Sequence, residues 1–226
     1  MPGWISTSFY SLLVLPAVIV GIEAWRGTLG TNPLERLIRE PGHWALVFLL
    51  CSLAITPLRH AGVRVARLLA LHQGRRLADW NRIVRLRRPL GLACFGYALT
   101  HLALYVTLDL GLDAGELVDD VRHKPFVLAG LTCFMLLLPL AVTSTDAWMR
   151  RLKRNWKRLH WLVYPAGVAA LLHFVWLSKP GVTGPYGYVA VLVALLGYRL
   201  AVRWWPGGAH VPITDDEVPE RTVGER

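Results

Sequence analysis

The sequence predicts an all-α, polytopic membrane protein built as a bundle of six transmembrane helices. Three observations carry this. Apolar residues make up 54% of the 226-residue chain, and the mean hydropathy is positive. They are gathered in long blocks, as in membrane proteins and unlike soluble domains, and six blocks approach the ~20 residues needed to cross the hydrocarbon. The basic residues behind the net charge of +10 crowd beside these blocks rather than inside them. Anionic lipid headgroups are therefore the natural counterpart of that charge, and nucleic acid is a poor one.

The first span is expected at Ser8 to Trp25, with Pro16 as a bend and Glu23 near its watery end. The N-terminus lacks a basic region and a small-residue cleavage site, so this span reads as a retained helix. The second runs from His43 to Leu58, where Thr56-Pro57 is expected to stop it. It is short for a span, which leaves a re-entrant segment open. Arg59 to Arg88 follows, with nine arginines and one aspartate. Val65, Leu68, Leu69 and Leu77 give it an apolar side, so an interfacial amphipathic helix is expected. The third span is Pro89 to Leu108, with proline at a favourable first position. Asp109 to Lys124 reads as an acidic loop. The fourth span is Pro125 to Thr145, containing Pro139, and a second basic cluster runs from Arg150 to Arg158. The fifth is Trp156 to Trp176 and the sixth Tyr186 to Trp205. Residues 1–205 thus form a membrane domain, and residues 206–226 a polar tail expected to be disordered.

Charge gives the orientation. Loops on one side hold six lysines and arginines, and those on the other hold fifteen. The positive-inside rule puts both termini and both arginine clusters in the cytoplasm. The ten tryptophans agree, each falling at a predicted helix end or in the amphipathic segment. Cys51, Cys94 and Cys133 stand singly in apolar runs, without metal-type spacing, and read as small core residues.

Of eight histidines, only His101, His160 and His173 are set within or against strongly apolar spans. Intramembrane ionisable residues usually mark function, although a single one can simply bond a neighbouring hydroxyl. His101 lies thirteen residues past Arg88 and His173 fifteen past Arg158. At ~1.5 Å per residue these depths are ~20 and ~22 Å, which pairs the two. Two neutral imidazoles on facing helices can bind one haem iron axially. Gly91, Gly96 and Gly167 would relieve crowding near such a macrocycle, or merely pack helices.

His160 and His173 share a span, and at ~100° per residue their thirteen-residue separation leaves them ~140° apart. Local unwinding near Pro165 would reduce that angle. His160 lies near the cytoplasmic surface and has no obvious second histidine. Arg87, fourteen residues before His101, shares a face with it. As a poor iron ligand it suits a haem propionate or a flavin phosphate instead, or serves as a positive-inside anchor. His60 and His72 are the other candidate partners.

The chain resembles the MsrQ (YedZ) family of haem-binding membrane subunits, within the wider ferric-reductase-like transmembrane group. The residues that carry the resemblance are Ile55-Thr56-Pro57-Leu58, Arg87-Arg88-x-Leu90-Gly91-Leu92 and Leu99-Thr100-His101-Leu102-x-x-Tyr105. Thr143-Ser144-Thr145, Trp156-x-x-Leu159-His160-x-x-Val163-Tyr164 and Leu172-His173-x-x-Trp176 complete the set. The resemblance implies one or two b-type haems, FMN, and a bacterial inner-membrane location. It implies His101, His160 and His173 as haem ligands, with Arg87 where the wider group has a fourth histidine. It also implies electron delivery from the quinone pool or a cytosolic flavin reductase. The acceptor would be a periplasmic molybdenum-containing reductase of the MsrP type, which repairs oxidised methionine. No dinucleotide fingerprint follows the last span, and no nucleophile–base constellation is visible, so no substrate-converting site is expected. Two alternatives stay open: a self-contained ferric or cupric reductase using Asp109, Asp113, Glu116, Asp119 and Asp120 to dock metal, and a transporter or structural protein.

Overall fold

The computed structural model describes residues 3–68, 83–178 and 184–204. Among them there are helices and turns and no strand. The helices are α1 (Gly3–Arg26), α2 (Pro33–Leu68), α3 (Arg87–Leu104), α4 (Ala114–His123), α5 (Pro125–Val142), α6 (Asp146–Leu152), α7 (Arg154–Leu159), α8 (Val163–Leu177) and α9 (Gly184–Trp204). A 3₁₀ turn, Ile83–Leu86, leads into α3, and a π turn, Tyr105–Asp109, ends it. Six stretches are long and apolar enough to cross a membrane, as expected: α1, α2, α3 with its two turns, α5, α7–α8, and α9.

The second span departs from expectation. Thr56-Pro57 does not stop it; α2 runs for 36 residues through Pro41 and Pro57. Proline removes the hydrogen bond to the carbonyl four residues earlier, which for Pro57 belongs to Leu53. That carbonyl accepts a hydrogen bond from Arg199 of α9 at 2.9 Å. The helix continues because a distant side chain replaces the missing donor. Neither a short span nor a re-entrant segment exists here.

The separate amphipathic helix over Arg59–Arg88 is also overturned at both of its ends. Residues through Leu68 continue α2, and Ile83–Leu86 already forms the entry to α3. The middle of that segment, with Leu69, His72 and Leu77, lies outside the described residues, as does the tail beyond Trp204.

The acidic segment is not all loop. Asp113 caps α4, its carboxylate accepting from the amides of Gly115 at 2.7 Å and Glu116 at 3.2 Å. Asp113 with Glu116 three residues on is the pattern of a capping box. Gly111, at φ +57°, makes the preceding turn, a conformation that favours glycine. Asp120 is buried and fastens α4 to its neighbours: Lys124 Nζ donates to it at 2.7–2.8 Å, and the Tyr105 hydroxyl donates as well.

Within the bundle α2 packs along α3, and α5 along α8. The centre holds Leu49 and Leu53 of α2, Leu90 and Cys94 of α3, Cys133 and Leu137 of α5, and Ala166 and Ala169 of α8. Small residues at Ala166, Gly167 and Ala169 let α8 approach closely, as in membrane bundles where lipid already satisfies apolar groups. Cys94 and Cys133 are core residues, whereas Cys51 faces outward. The α1 helix hangs on Tyr97, whose hydroxyl takes the Ala17 amide at 3.0 Å and donates to the Leu13 carbonyl at 2.9 Å.

Candidate cofactor site between the two helix pairs

The two helix pairs bring His101 and His173 together. Their ring centroids lie 5.9 Å apart with the planes at 72°. Each ring is seated in the same way. His101 Nδ1 donates to the Ile38 carbonyl of α2 at 2.8 Å, and His173 Nδ1 donates to the Phe126 carbonyl of α5 at 2.7 Å. A carbonyl can only accept, so Nδ1 carries the proton in each ring. The neutral ring then keeps its lone pair on Nε2, the tautomer that metal-binding histidines use.

Each ring also rests on a glycine one helical turn beyond the carbonyl it bonds. A Cβ at Gly42 would lie 3.0 Å from His101 Nδ1, and one at Gly130 would lie 2.7 Å from His173 Nδ1. Ile38 with Gly42, and Phe126 with Gly130, are therefore two equivalent notches with the same four-residue spacing. The glycines expected to make room, Gly91 and Gly96, face open space, and Gly167 meets only Leu192 and Leu53.

The local unwinding expected near Pro165 does not occur; the span carrying His160 and His173 instead winds more tightly at His160–Leu162, as a 3₁₀ turn. Pro165 then falls in the first turn of α8, where its missing N–H costs least. Three residues at ~120° in place of ~100° reduce the angle between the two side chains from ~140° to ~80°. Even so, His160 stands apart from the pair. It stacks on Trp156 at 3.9 Å between centroids, and its Nδ1 donates to the Trp156 carbonyl at 3.1 Å. Trp156 is itself held by its indole N–H on the Thr143 carbonyl at 2.9 Å.

Arg87 does not reach His160 by any hydrogen bond among the described residues. Its guanidinium donates to Thr56 Oγ1 of α2 at 2.5 Å. His60, one turn further along α2, shares a 2.8 Å hydrogen bond with the Tyr198 hydroxyl. Arg199 donates to the Tyr164 hydroxyl at 2.6 Å and lies over the Tyr164 ring. Nothing local in the sequence singles out Arg199, Gly42 or Gly130.

Known proteins can now be set beside this geometry. The family profile described as "Ferric reductase like transmembrane component" matches residues 41–171, more than half of the chain. A protein of Xanthomonas euvesicatoria named "Protein-methionine-sulfoxide reductase heme-binding subunit MsrQ" is 40% identical over 200 residues. That alignment covers 86% of this chain and 84% of the relative. The chain belongs to the MsrQ family. The MsrQ of Ralstonia nicotianae is 40% identical over 196 residues, covering 85% of this chain and 82% of that one. The MsrQ of Xanthomonas campestris is 38% identical over 203 residues, covering 87% and 86%. No solved structure matches the chain. The profile includes Arg87, His101 and His160 and stops two residues before His173, so the second half of the histidine pair is defined here by geometry.

Proposed function

We propose that this MsrQ-family chain is the haem-binding, electron-carrying membrane subunit of a methionine sulfoxide reductase system. The observation that carries the reading is the His101–His173 pair, with both Nδ1 atoms engaged and, among the described residues, no hydrogen bond at either Nε2. The donor set fits haem. Two metal–imidazole bonds of about 2 Å, with half of each ring added, give a centroid separation of about 6 Å, which matches the 5.9 Å observed. Among the described residues no group of three or more His, Cys, Asp or Glu could hold a bare metal ion. A pair of protein ligands suits a metal whose remaining positions come from a macrocycle. The histidines would hold the haem noncovalently as a b-type group, and its iron would supply one-electron carriage. The protein's own contribution is orientation. Carbonyls fix each imidazole's tautomer and direction, glycines let the rings sit against the backbone, and the apolar bundle excludes water.

The finer parts belong to the same reading. His160 and Arg87 mark a second cofactor position towards the basic end, for a further haem or for FMN. Both termini lie in the cytoplasm of a bacterial inner membrane. Electrons enter at that face from the quinone pool or a cytosolic flavin reductase and leave to a periplasmic molybdenum-containing reductase of the MsrP type. The acidic segment gives little support to a self-contained ferric reductase. Asp113 caps a helix, Asp119 pairs with His123 and Asp120 with Lys124, so these carboxylates have structural partners. The test is reconstitution in vesicles of known orientation, with reductant at the basic face and the partner reductase at the other. Methionine sulfoxide reduction should require the partner and vanish in His173→Ala. Turnover without the partner would overturn the subunit reading.

A further inference from the structure

Where α9 packs against α2 and α8, a cluster of rings lies beside the histidine pair. His43 follows Gly42, the residue on which His101 rests, and Phe174 follows His173. Tyr188 of α9 stands between them. Its ring centroid lies 5.7 Å from that of His43 and 5.5 Å from that of Phe174, edge to face in both cases. All three side chains are half-buried. Two of them carry polar atoms, and these serve each other poorly. The Tyr188 hydroxyl and His43 Nε2 are 3.4 Å apart, beyond the usual length of a hydrogen bond from a hydroxyl. Among the described residues no other hydrogen bond reaches either side chain.

The other polar groups around the pair are engaged. Arg36 and Arg39, which flank Ile38, pair with Glu23 and Glu35, and Lys124, two residues before Phe126, pairs with Asp120. The hydroxyls of Thr100 and Thr132 donate to carbonyls of their own helices at 3.0 and 2.8 Å. His43 and Tyr188 therefore keep hydrogen-bonding capacity inside an apolar bundle, which is costly unless a third group takes it up. The haem reading supplies the chemistry of such a group. A b-type haem carries carboxylates on its rim, and a carboxylate entering an apolar bundle needs donors. A phenol O–H and an imidazole N–H are suitable, and hydrogen bonds to an ionised carboxylate are about twice as strong as neutral ones. We propose that His43 and Tyr188 bind a rim carboxylate of the haem held by His101 and His173, and so fix which way round the macrocycle sits. The assignment rests on the haem reading above and adds two binding residues to it.

The test uses the full chain, produced under haem limitation and titrated in detergent with haem or with haem dimethyl ester, whose carboxylates are masked. Absorption reports binding and ligation of each. The readout is the ratio of the two affinities compared between proteins, so the ester's greater preference for detergent cancels. Tyr188→Phe removes one hydroxyl and keeps the ring. Loss of a hydrogen bond to a charged group should lower the haem-over-ester ratio by about tenfold. Adding His43→Leu should lower it further, with ester affinity and the two-imidazole spectrum unchanged, and His43→Gln, which keeps a donor, should cost less than His43→Leu. An unchanged ratio in the double variant overturns the proposal. So does a loss shared equally by haem and ester, which is the mark of a merely structural role. Where the double variant does not fold, the ratio in Tyr188→Phe decides in the same way. A wild-type chain that binds neither compound refutes the haem reading, and this assignment falls with it. Binding of both with a ratio that no variant moves refutes the assignment alone.

Discussion

Gly130→Ala is a small change with a specific consequence. The new Cβ would lie 2.7 Å from His173 Nδ1 and 3.0 Å from Cε1. It would be fixed to the backbone of α5 and could not swing aside. The imidazole must therefore retreat, and its 2.7 Å hydrogen bond to the Phe126 carbonyl is broken or badly bent. A buried donor left unsatisfied costs about 1–3 kcal/mol, and crowding a packed site adds a similar amount. Since 1.4 kcal/mol is a factor of ten, the hydrogen-bond loss alone weakens retention of a group bound through His173 by about five- to a hundredfold. The assay is the haem-to-protein ratio, followed by absorption through a dilution series. Gly42→Ala, with its nearest approach at 3.0 Å, should show a milder loss. Gly96→Ala, with nothing within 4 Å, should behave as wild type. Wild-type haem retention and an unchanged spectrum in Gly130→Ala would refute the claim that the glycine notch seats the ligand.

Three other outcomes follow from the same geometry. His160→Ala should leave the spectrum of the His101–His173 group intact, because His160 touches Trp156 and not the pair; loss of that spectrum would place His160 in the same site. Reporter fusions after Gly74 and Gly115 should report opposite sides of the membrane, with Gly74 cytoplasmic; a shared side would remove the third span and the depth argument with it. The docking of α4 should depend on pH through Asp120 and Lys124. The Lys124 hydrogen bond, then that of Tyr105, holds the Asp120 carboxyl below its ordinary range, and the Asp120 bond raises Lys124. The Asp120 contribution is thus complete above about pH 4 and is lost as pH falls through its lowered value. The Lys124 contribution is complete below about pH 10 and is lost as pH rises through its raised value. Hydrogen exchange of the α4 amides, corrected for intrinsic rates, should stay protected across that window and open in acid. Asp120→Asn should abolish the acid step, and loosening between pH 5 and 7 would contradict the assignment.

What could be read from the chain alone was whatever is local or set by depth. Apolar runs and basic flanks sufficed for six spans, and counting residues from Arg88 and Arg158 paired His101 with His173. Features made by distant contacts were not legible. Pro57 looks like a helix stop until Arg199, more than a hundred residues away, supplies the donor that the Leu53 carbonyl lacks. Gly42 and Gly130 look like any other membrane glycines until a histidine from another helix lies against them, whereas Gly91 and Gly96, closer to the histidine in sequence, face nothing. The α4 helix did leave a local signal, Asp113 three residues before Glu116, which the density of acidic residues masked. An irregularity ahead of Pro165 was legible, but its sense was not: the chain tightens into a 3₁₀ turn at His160–Leu162 where unwinding was expected.

The account stands on one pair of ligands. The most direct measurement is the electron paramagnetic resonance spectrum of the oxidised, haem-loaded chain beside His101→Ala and His173→Ala. A low-spin signal from a haem with two imidazole ligands should be present in the wild type and lost in both variants alike. Persistence of that two-imidazole signal in either variant would contradict the pairing.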